Sequence, residues 1–254
     1  MKGRARKSGM SLTEMTVVVA VVAMLVALSG PAIRTLSHSL VSAGDAKAMI
    51  SAALASARAI AAKEQRYAGI RFQKAYDPNN LTGAAQYMIF IVHDFNDTGL
   101  AYGFRAVENI EPIKLPEGVG VMDLRINKTE IVDTDGEITN DEDVIDTTAF
   151  SVLFSPSGKL VIHGARIRNR DGWTNTDSED DIFNVESNVK NGIGLFIQDD
   201  YQNLGLYEEP SRNSFIIYEK NKFDSVNKNS RYDDYLKSLD VIYINPYTGT
   251  MIDR

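Results

Sequence analysis

The longest apolar run of the chain lies near its amino terminus. Residues 17–28 carry no polar side chain. A run so rich in valine would form a poor helix in water, but a bilayer forces the backbone to satisfy its hydrogen bonds internally. The nineteen residues from Met10 to Leu28 would span about 29 Å at roughly 1.5 Å per residue, close to the hydrocarbon thickness. The pattern therefore predicts a membrane-crossing helix half over residues 10–30.

A second helical pattern follows directly. Between Ala32 and Tyr67 the apolar positions step by three or four, the period of a helix with one buried stripe. These positions are Ile33, Leu36, Leu40, Ala43, Ala46, Ile50, Leu54, Ala57 and Ile60. Pro31 lacks a backbone donor and predicts a bend between the membrane half and this amphipathic stalk half, residues 31–67. Gly69 predicts the end of the helix.

Beyond Gly69 the hydrophobic period becomes that of strands. Short apolar runs predict strands at 87–92, 150–154, 195–197, 215–218 and 241–244. Turn residues separate them at 96–99, 116–118, 135–136, 156–158 and 246–249. One further helix is predicted between Asp224 and Leu239. The predicted fold is α+β: a long N-terminal helix, membrane half plus amphipathic half, packed on a mainly antiparallel β-sheet head over residues 68–254.

Charge is distributed unevenly along the chain. The 254 residues hold 27 Lys and Arg against 34 Asp and Glu, for a net charge of −7. Residues 1–9 contain four basic side chains and no acid, so the rest of the chain holds 23 basic and 34 acidic residues, a net charge of −11. Such a surface disfavours nucleic acid as a partner. The absence of cysteine excludes disulfides, thiolate zinc sites and cysteine nucleophiles.

The amino-terminal segment resembles type IV prepilins and the pseudopilins of type II secretion. Their pattern is a short basic leader ending in glycine, cleavage after that glycine, methylation of the new first residue, and glutamate as the fifth mature residue. Gly9, Met10 and Glu14 fall on those positions, whereas Thr13 departs from the usual Ile or Val. The resemblance implies a leader over residues 1–9, cleavage between Gly9 and Met10, N-methylation of Met10 and an assembly role for Glu14.

The head carries a more scattered resemblance to the H-type minor pseudopilins. Residues 54–60, 115–119 and 154–158 are similar to recurring segments of that group, whereas 128–148 and 171–191 read as acidic insertions. The resemblance implies a structural, non-enzymatic minor pseudopilin or minor pilin without a cofactor. It would assemble into a type II secretion pseudopilus or type IV pilus-like fibre.

The same resemblance implies where the protein resides and what it contacts. It would cross the bacterial inner membrane once, with its head in the periplasm or on an extracellular fibre. Its partners would be the prepilin peptidase/methyltransferase and other pilin or pseudopilin subunits, which it would contact through the N-terminal helix.

A secreted soluble binding protein is a first alternative. The basic start, the apolar run and the small residues at 27–29 also fit a secretory signal peptide. Glu14 argues against this interpretation, because a carboxylate in the membrane-inserted segment costs about 2.5–3.5 kcal/mol on insertion scales. The helical pattern that continues beyond Pro31 argues against it as well, since cleavage would separate that pattern from its start.

A DNA-capturing minor pilin is a second alternative. Arg166, Arg168 and Arg170 alternate, so on a strand they would share one face and could form a phosphate-binding strip. The acidic residues that follow at 177–181 favour a solvated, neutralised sheet face instead. The chain also lacks a basic cluster at its carboxyl end, so nucleic acid is not the expected partner.

The acidic stretch at residues 130–146 raises the question of calcium. It holds eight carboxylates and no base. On an EF-hand loop Asp133, Asp135 and Glu142 would occupy positions three, five and twelve, but position one is Ile131, which cannot bind the ion. These three residues are weak calcium candidates, and a solvated acidic hairpin is the favoured interpretation.

Catalytic residues are not predicted. The three histidines, His38, His93 and His163, are far apart in sequence. The chain shows no Ser/His/Asp order, phosphate loop or HExxH motif. The sequence therefore does not indicate an enzyme, and His93 with Asp94 is interpreted as a polar strand end.

Overall fold

Sheet dominates the computed structural model, which describes residues 44–80, 83–123, 144, 147–199 and 209–253. Helix α1 comprises residues 44–64. The strands are β1 (Ala68–Lys74), β2 (Gln86–His93), β3 (Gly103–Ala106), β4 (Ile113–Lys114), β5 (Val119–Met122), β6 (Phe150–Phe154), β7 (Leu160–Val161), β8 (Gly164–Ile167), β9 (Phe183–Asn184), β10 (Phe196–Ile197), β11 (Glu209–Pro210), β12 (Ser214–Glu219), β13 (Ile242–Ile244) and β14 (Met251–Asp253). The shorter helices are α2 (Phe95–Thr98), α3 (Glu186–Lys190), α4 (Lys220–Ser225) and α5 (Arg231–Asp234), with 3₁₀ turns at Lys228–Ser230 and Leu236–Ser238.

The strands form a curled large sheet and two smaller ones. The large sheet has the order β11-β8-β3-β2-β1-β6-β7, with β4 also paired to β2. The small sheet has the order β14-β13-β12-β5, and β9 pairs with β10. The β3–β8 and β9–β10 pairs are parallel. The parallel β3–β8 pair places the chain around residue 163 beside the carboxyl end of β2.

Helix α1 packs on one face of the large sheet. Its alanine content favours helix, since alanine has the best intrinsic propensity. Ile50, Leu54 and Ala57 are fully buried and belong to one hydrophobic cluster with alternate residues of β1, β2 and β6. In β2 these alternate residues include Met88 and Phe90. The apolar side chains of α1, which recur every 3.6 residues, thus pack against strand residues that alternate with a period of two.

The opposite face of the large sheet is also covered. Ile89 and Ile91 of β2 cluster with Phe104 of β3, and Phe183 and Phe196 from the β9–β10 pair complete this second core. Burial on both faces explains why β2 reads as a continuous apolar run rather than an alternating one.

One buried side chain connects the large sheet to the small sheet. Gln86, at the start of β2, is 1% exposed. Its Nε2 donates to the carbonyl oxygens of Val121 (2.8 Å) and Thr148 (2.7 Å), and its Oε1 accepts from the Val121 N–H (2.7 Å). The amide therefore acts as a short stretch of strand, satisfying backbone groups that burial would otherwise leave unpaired.

The predicted fold, a long N-terminal helix packed on a mainly antiparallel head, is wrong. The first helix of the described chain comprises residues 44–64, and no long apolar helix occurs in that part of the chain. No helix within the described ranges is long and apolar enough to cross a membrane. Residues 10–43, which include the predicted membrane half and the bend at Pro31, lie outside the described residues.

The predicted helix end at Gly69 is also wrong. Gln65 adopts a left-handed backbone with φ of 54°, and α1 ends at residue 64. Gly69 lies inside β1, where an added Cβ would stand 2.0 Å from the carbonyl oxygen of Val152 in β6. The glycine therefore permits the close approach of two strands and does not cap a helix.

The strand predictions fare better than the second helix prediction. Strands β2, β6, β10, β12 and β13 overlap the five predicted runs and confirm them. The helix predicted between Asp224 and Leu239 is wrong, because this stretch consists of the end of α4, two 3₁₀ turns and the four-residue α5. Tyr235 is drawn inward, and its hydroxyl accepts the Glu219 N–H at 2.8 Å. The tertiary contact of Tyr235 therefore outweighs the helical pattern of the sequence, and no continuous helix forms here.

Candidate functional site

The residues that the sequence assigns to processing, assembly and calcium lie outside the described part of the chain. They are Gly9, Met10, Glu14, Pro31, Asp133, Asp135 and Glu142. Within the described part, no group of three or more His, Cys, Asp or Glu side chains is arranged to hold a metal ion. In the described part of the head, α1 has an exposed outer face and is attached to the sheet by a side chain. Polar side chains form three clusters elsewhere in the head.

The outer face of α1 consists mainly of small side chains. Its exposed residues between positions 48 and 62 are Ala48, Ser51, Ala52, Ala55, Ser56, Ala59 and Ala62. Helices pack about 8–10 Å apart, and the side chains at the contact decide where in that range they lie. This face therefore allows another helix to approach closely.

Arg58 attaches α1 to two turns of the sheet. Its Nε donates to the carbonyl oxygen of Gly158 at 2.8 Å, and its Nη1 donates to that of Thr248 at 2.9 Å. The two turns follow β6 and β13, so one side chain fixes the helix against both sheets. The sequence does not indicate this role of Arg58, because carbonyl groups 100 and 190 residues away leave no local signal.

Two histidines that are distant in sequence lie together at one end of the large sheet. The ring centroids of His93 and His163 are 6.4 Å apart. Phe104, fully buried, lies 5.4 Å from the first ring and 6.0 Å from the second. The Tyr67 ring lies 4.3 Å from that of His163 between centroids, tilted by 36°, and the Tyr102 ring lies 5.3 Å from it. We call His93 and His163 the histidine pair.

Each member of the histidine pair is held by a backbone carbonyl. Nε2 of His93 lies 2.8 Å from the carbonyl oxygen of Ala101, and Nδ1 of His163 lies 2.6 Å from that of Gly164. Both side chains are half-buried. The sequence treated the two histidines as unrelated, because only the parallel pairing of β3 with β8 brings them together.

Asp94, directly after His93, is the centre of an ion cluster. Its Oδ2 accepts from Arg66 Nη1 at 2.9 Å and from Arg105 Nε at 3.0 Å. Its Oδ1 accepts the N–H groups of Asn96 and Asp97 and so caps α2. Burial alone would raise the pKa of Asp94, but the Arg105 and backbone hydrogen bonds, together with the two arginine charges, outweigh it and lower the pKa below its ordinary 3.8. The interpretation of a polar strand end gives the place of Asp94 directly after β2, but its side chain is buried, at 5% exposed.

Replacing Asp94 with asparagine is expected to lower the free energy of unfolding by about 1–3 kcal/mol near neutral pH, because the hydrogen bonds from Arg66 and Arg105 lose their charged acceptor. Since the folded-state pKa is depressed, the carboxylate's contribution is fully present above the unfolded value of about 3.8. It is lost as the pH falls through the lower folded value. Denaturant unfolding of both proteins at neutral and acid pH measures this change.

The matched control for Asp94→Asn is Asp233→Asn. The Asp233 side chain is 70% exposed and pairs with Lys237 one helical turn away, so its replacement should change stability by no more than about 0.5 kcal/mol. A stability gap between wild type and Asp94→Asn that stays constant down to about pH 3, below the ordinary Asp pKa, would contradict the assigned role of the carboxylate.

A second ion cluster lies inside the sheet domain. Arg71 donates to Glu209 at 2.8 Å and lies 3.6 Å from Asp199. Arg212 pairs with Asp123 at 2.5 Å and lies 3.6 Å from Glu209. Both arginines are less than 5% exposed. A buried charge is tolerated only when it is paired. We therefore assign this cluster a structural role, in which its ion pairs connect segments of the sheet domain.

The favoured interpretation of Arg166, Arg168 and Arg170 as a solvated sheet face is wrong for Arg168, although Arg170 is paired with acidic residues as expected. β8 ends at Ile167, and Arg168 is only 1% exposed. Arg170 lies 3.1 Å from Asp181 and 3.7 Å from Asp180. Burial raises the pKa of Asp180 above its ordinary value, even though backbone hydrogen bonds and Arg170 act against the shift. The three arginines therefore do not form a shared surface for phosphate groups.

The described head thus combines a smooth helix face with charges that are paired in its interior. Comparisons of the chain with protein-family models, with curated proteins and with solved structures found no match.

Proposed function

We propose that this protein is a structural, non-catalytic subunit of a type II secretion pseudopilus or type IV pilus-like fibre, of the minor class. Before assembly, residues 10–30 anchor it in the bacterial inner membrane with the head on the periplasmic side. The observation that carries the proposal is the arrangement of the amino terminus: four basic residues, then Gly9, Met10 and Glu14, then an apolar run that extends to residue 28.

The described head supports this proposal through its helix. α1 begins sixteen residues after the apolar run ends and is fixed to the sheet by its apolar stripe and by Arg58. Its outer face of small side chains leaves room for a neighbouring subunit. The alternative of DNA capture receives no such support, because Arg168 is buried and Arg170 is paired with acidic side chains.

Glu14 has a specific role in this proposal. It lies four residues after Met10, so on a helix the two occupy the same face one turn apart. Cleavage after Gly9 would create a new α-amino charge on Met10, and two opposite charges at a membrane boundary are tolerated better as a pair than alone. The partner amine belongs to the adjacent subunit, which makes Glu14 the residue that sets the axial register of the fibre.

The proposal predicts the behaviour of a Glu14→Ala variant. The variant should still be cleaved after Gly9 and accumulate in the membrane, because it is more apolar than wild type. Its incorporation into fibres should fall about tenfold or more, which corresponds to losing 1.4 kcal/mol or more of subunit contact. Quantitative immunoblotting of sheared fibres against the membrane fraction measures the ratio.

Glu64→Ala is the matched control for this experiment. Glu64 is exposed at the end of α1 and pairs only with the solvated Lys63 among the contacts of the described chain. Its replacement removes the same charge and should leave incorporation unchanged. Wild-type incorporation of Glu14→Ala would refute the register role.

A further inference from the structure

The histidine pair has the chemistry of a metal site that its surroundings have already oriented. Histidine ligands usually donate their second ring N–H to a carbonyl or carboxylate, which fixes the tautomer and the direction of the metal-binding nitrogen. Both members of the pair show such a contact, to the carbonyls of Ala101 and Gly164. Because a carbonyl only accepts, the ring nitrogen facing it must carry the proton.

Among the contacts of the described residues, these leave one nitrogen on each ring without a hydrogen-bond partner. In the neutral imidazoles the free lone pairs belong to Nδ1 of His93 and Nε2 of His163. We propose that the histidine pair binds a divalent transition-metal ion of the Cu²⁺ or Zn²⁺ class, with water completing the coordination.

The spacing of the rings is close to what one ion requires. An ion about 2.0–2.1 Å from each nitrogen holds two imidazole centroids roughly 5–6 Å apart. The observed separation of 6.4 Å lies just outside that range, so binding requires the two half-buried rings to move slightly closer while each keeps its carbonyl contact. The edge contacts of the buried Phe104 with both rings and the contact of Tyr67 with His163 keep the rings in this neighbourhood.

The donor set also selects the class of ion. Imidazole nitrogens suit Cu²⁺, Zn²⁺ and Ni²⁺, whereas Mg²⁺ and Ca²⁺ require oxygen ligands. The nearest carboxylate in sequence, Asp94, is already engaged by Arg66 and Arg105. Two protein ligands give a weaker site than the three or four of a structural zinc centre, and Cu²⁺ should bind more tightly than Zn²⁺.

The chain allows a sharp test, because it has three histidines and no cysteine. The full-length protein, purified in detergent, is titrated with Cu²⁺ or Zn²⁺ by calorimetry, with Mg²⁺ as the hard-ion control. We expect one ion per chain for Cu²⁺ and no heat from Mg²⁺. His93→Gln and His163→Gln should each weaken binding by at least about tenfold, whereas His38→Gln, the matched control, should bind as wild type does. Far-UV circular dichroism verifies that each variant is folded.

Electron paramagnetic resonance gives a result that does not depend on the folding of the His93 and His163 variants. The Cu²⁺ spectrum should show two coordinating imidazole nitrogens in both wild type and His38→Gln. A wild-type protein that binds no Cu²⁺, a spectrum with fewer than two such nitrogens, or full binding by the His93→Gln/His163→Gln double variant would overturn the proposal.

Discussion

Replacement of Gly69 by alanine should lower the free energy of unfolding by about 3 kcal/mol, at the upper end of the usual cost of overpacking. An added Cβ would stand 2.0 Å from the carbonyl oxygen of Val152 and 2.6 Å from a methyl carbon of Leu153. The first of these contacts is with backbone, which cannot move aside as a side chain can. β1 and β6 therefore have to separate at the centre of the large sheet, where both strands are buried.

Denaturant unfolding of the full-length protein in detergent measures this effect, and Gly44→Ala is the matched control. A Cβ at Gly44, in the first turn of α1, meets no atom of the described residues within 4 Å. Alanine there should be neutral or stabilising by up to about 1 kcal/mol, because glycine is the poorer helix former. Equal unfolding midpoints for Gly69→Ala and wild type would show that the strands are not as close as described.

Gln86→Leu should lower the free energy of unfolding by about 2–4 kcal/mol. The substitution keeps the size and apolar stem of the side chain but removes three hydrogen bonds to the backbone of Val121 and Thr148. Each buried backbone group left without a partner costs roughly 1–3 kcal/mol, and local rearrangement recovers part of that cost. The small sheet should lose its attachment to the large sheet first, so amide exchange should rise in β5 before it rises in β1.

Gln65→Leu provides the control for Gln86→Leu. Gln65 is exposed, and its Nε2 donates only to the nearby Ala62 carbonyl among the contacts of the described chain. Its replacement should change stability by no more than about 0.5 kcal/mol. If both variants unfolded alike, the connection between the sheets through Gln86 would have to be abandoned.

The sequence predicted those features of the fold that local patterns encode. The apolar run at 87–92 identified β2, and the spacing of Ile50, Leu54 and Ala57 identified the buried stripe of α1. The end of that helix was missed, because Gln65 adopts a left-handed backbone conformation that the sequence preferences of glutamine do not predict. Glycine offers two uses, a helix cap or a close strand contact, and only the pairing of β1 with β6 shows which one applies to Gly69.

Long-range contacts account for the other differences between sequence and structure. Arg168 directly follows the end of β8 and is buried. The alternating arginines therefore do not share one exposed strand face. The histidine pair brings together positions 93 and 163, and Arg58 binds carbonyls still further away in sequence. The processing motif is different in kind, because Gly9, Met10 and Glu14 form one contiguous pattern that can be recognised without knowledge of the fold.

The central claim is that the chain is a processed fibre subunit, and the mass of its mature amino terminus tests this claim most directly. Mass spectrometry of the protein extracted from membranes should show a chain that begins at Met10 and is one methyl group heavier than the unmodified sequence. A chain that begins at Gly30, as a signal peptide cleaved after Ser29 would leave it, would contradict the account and indicate a secreted soluble protein instead.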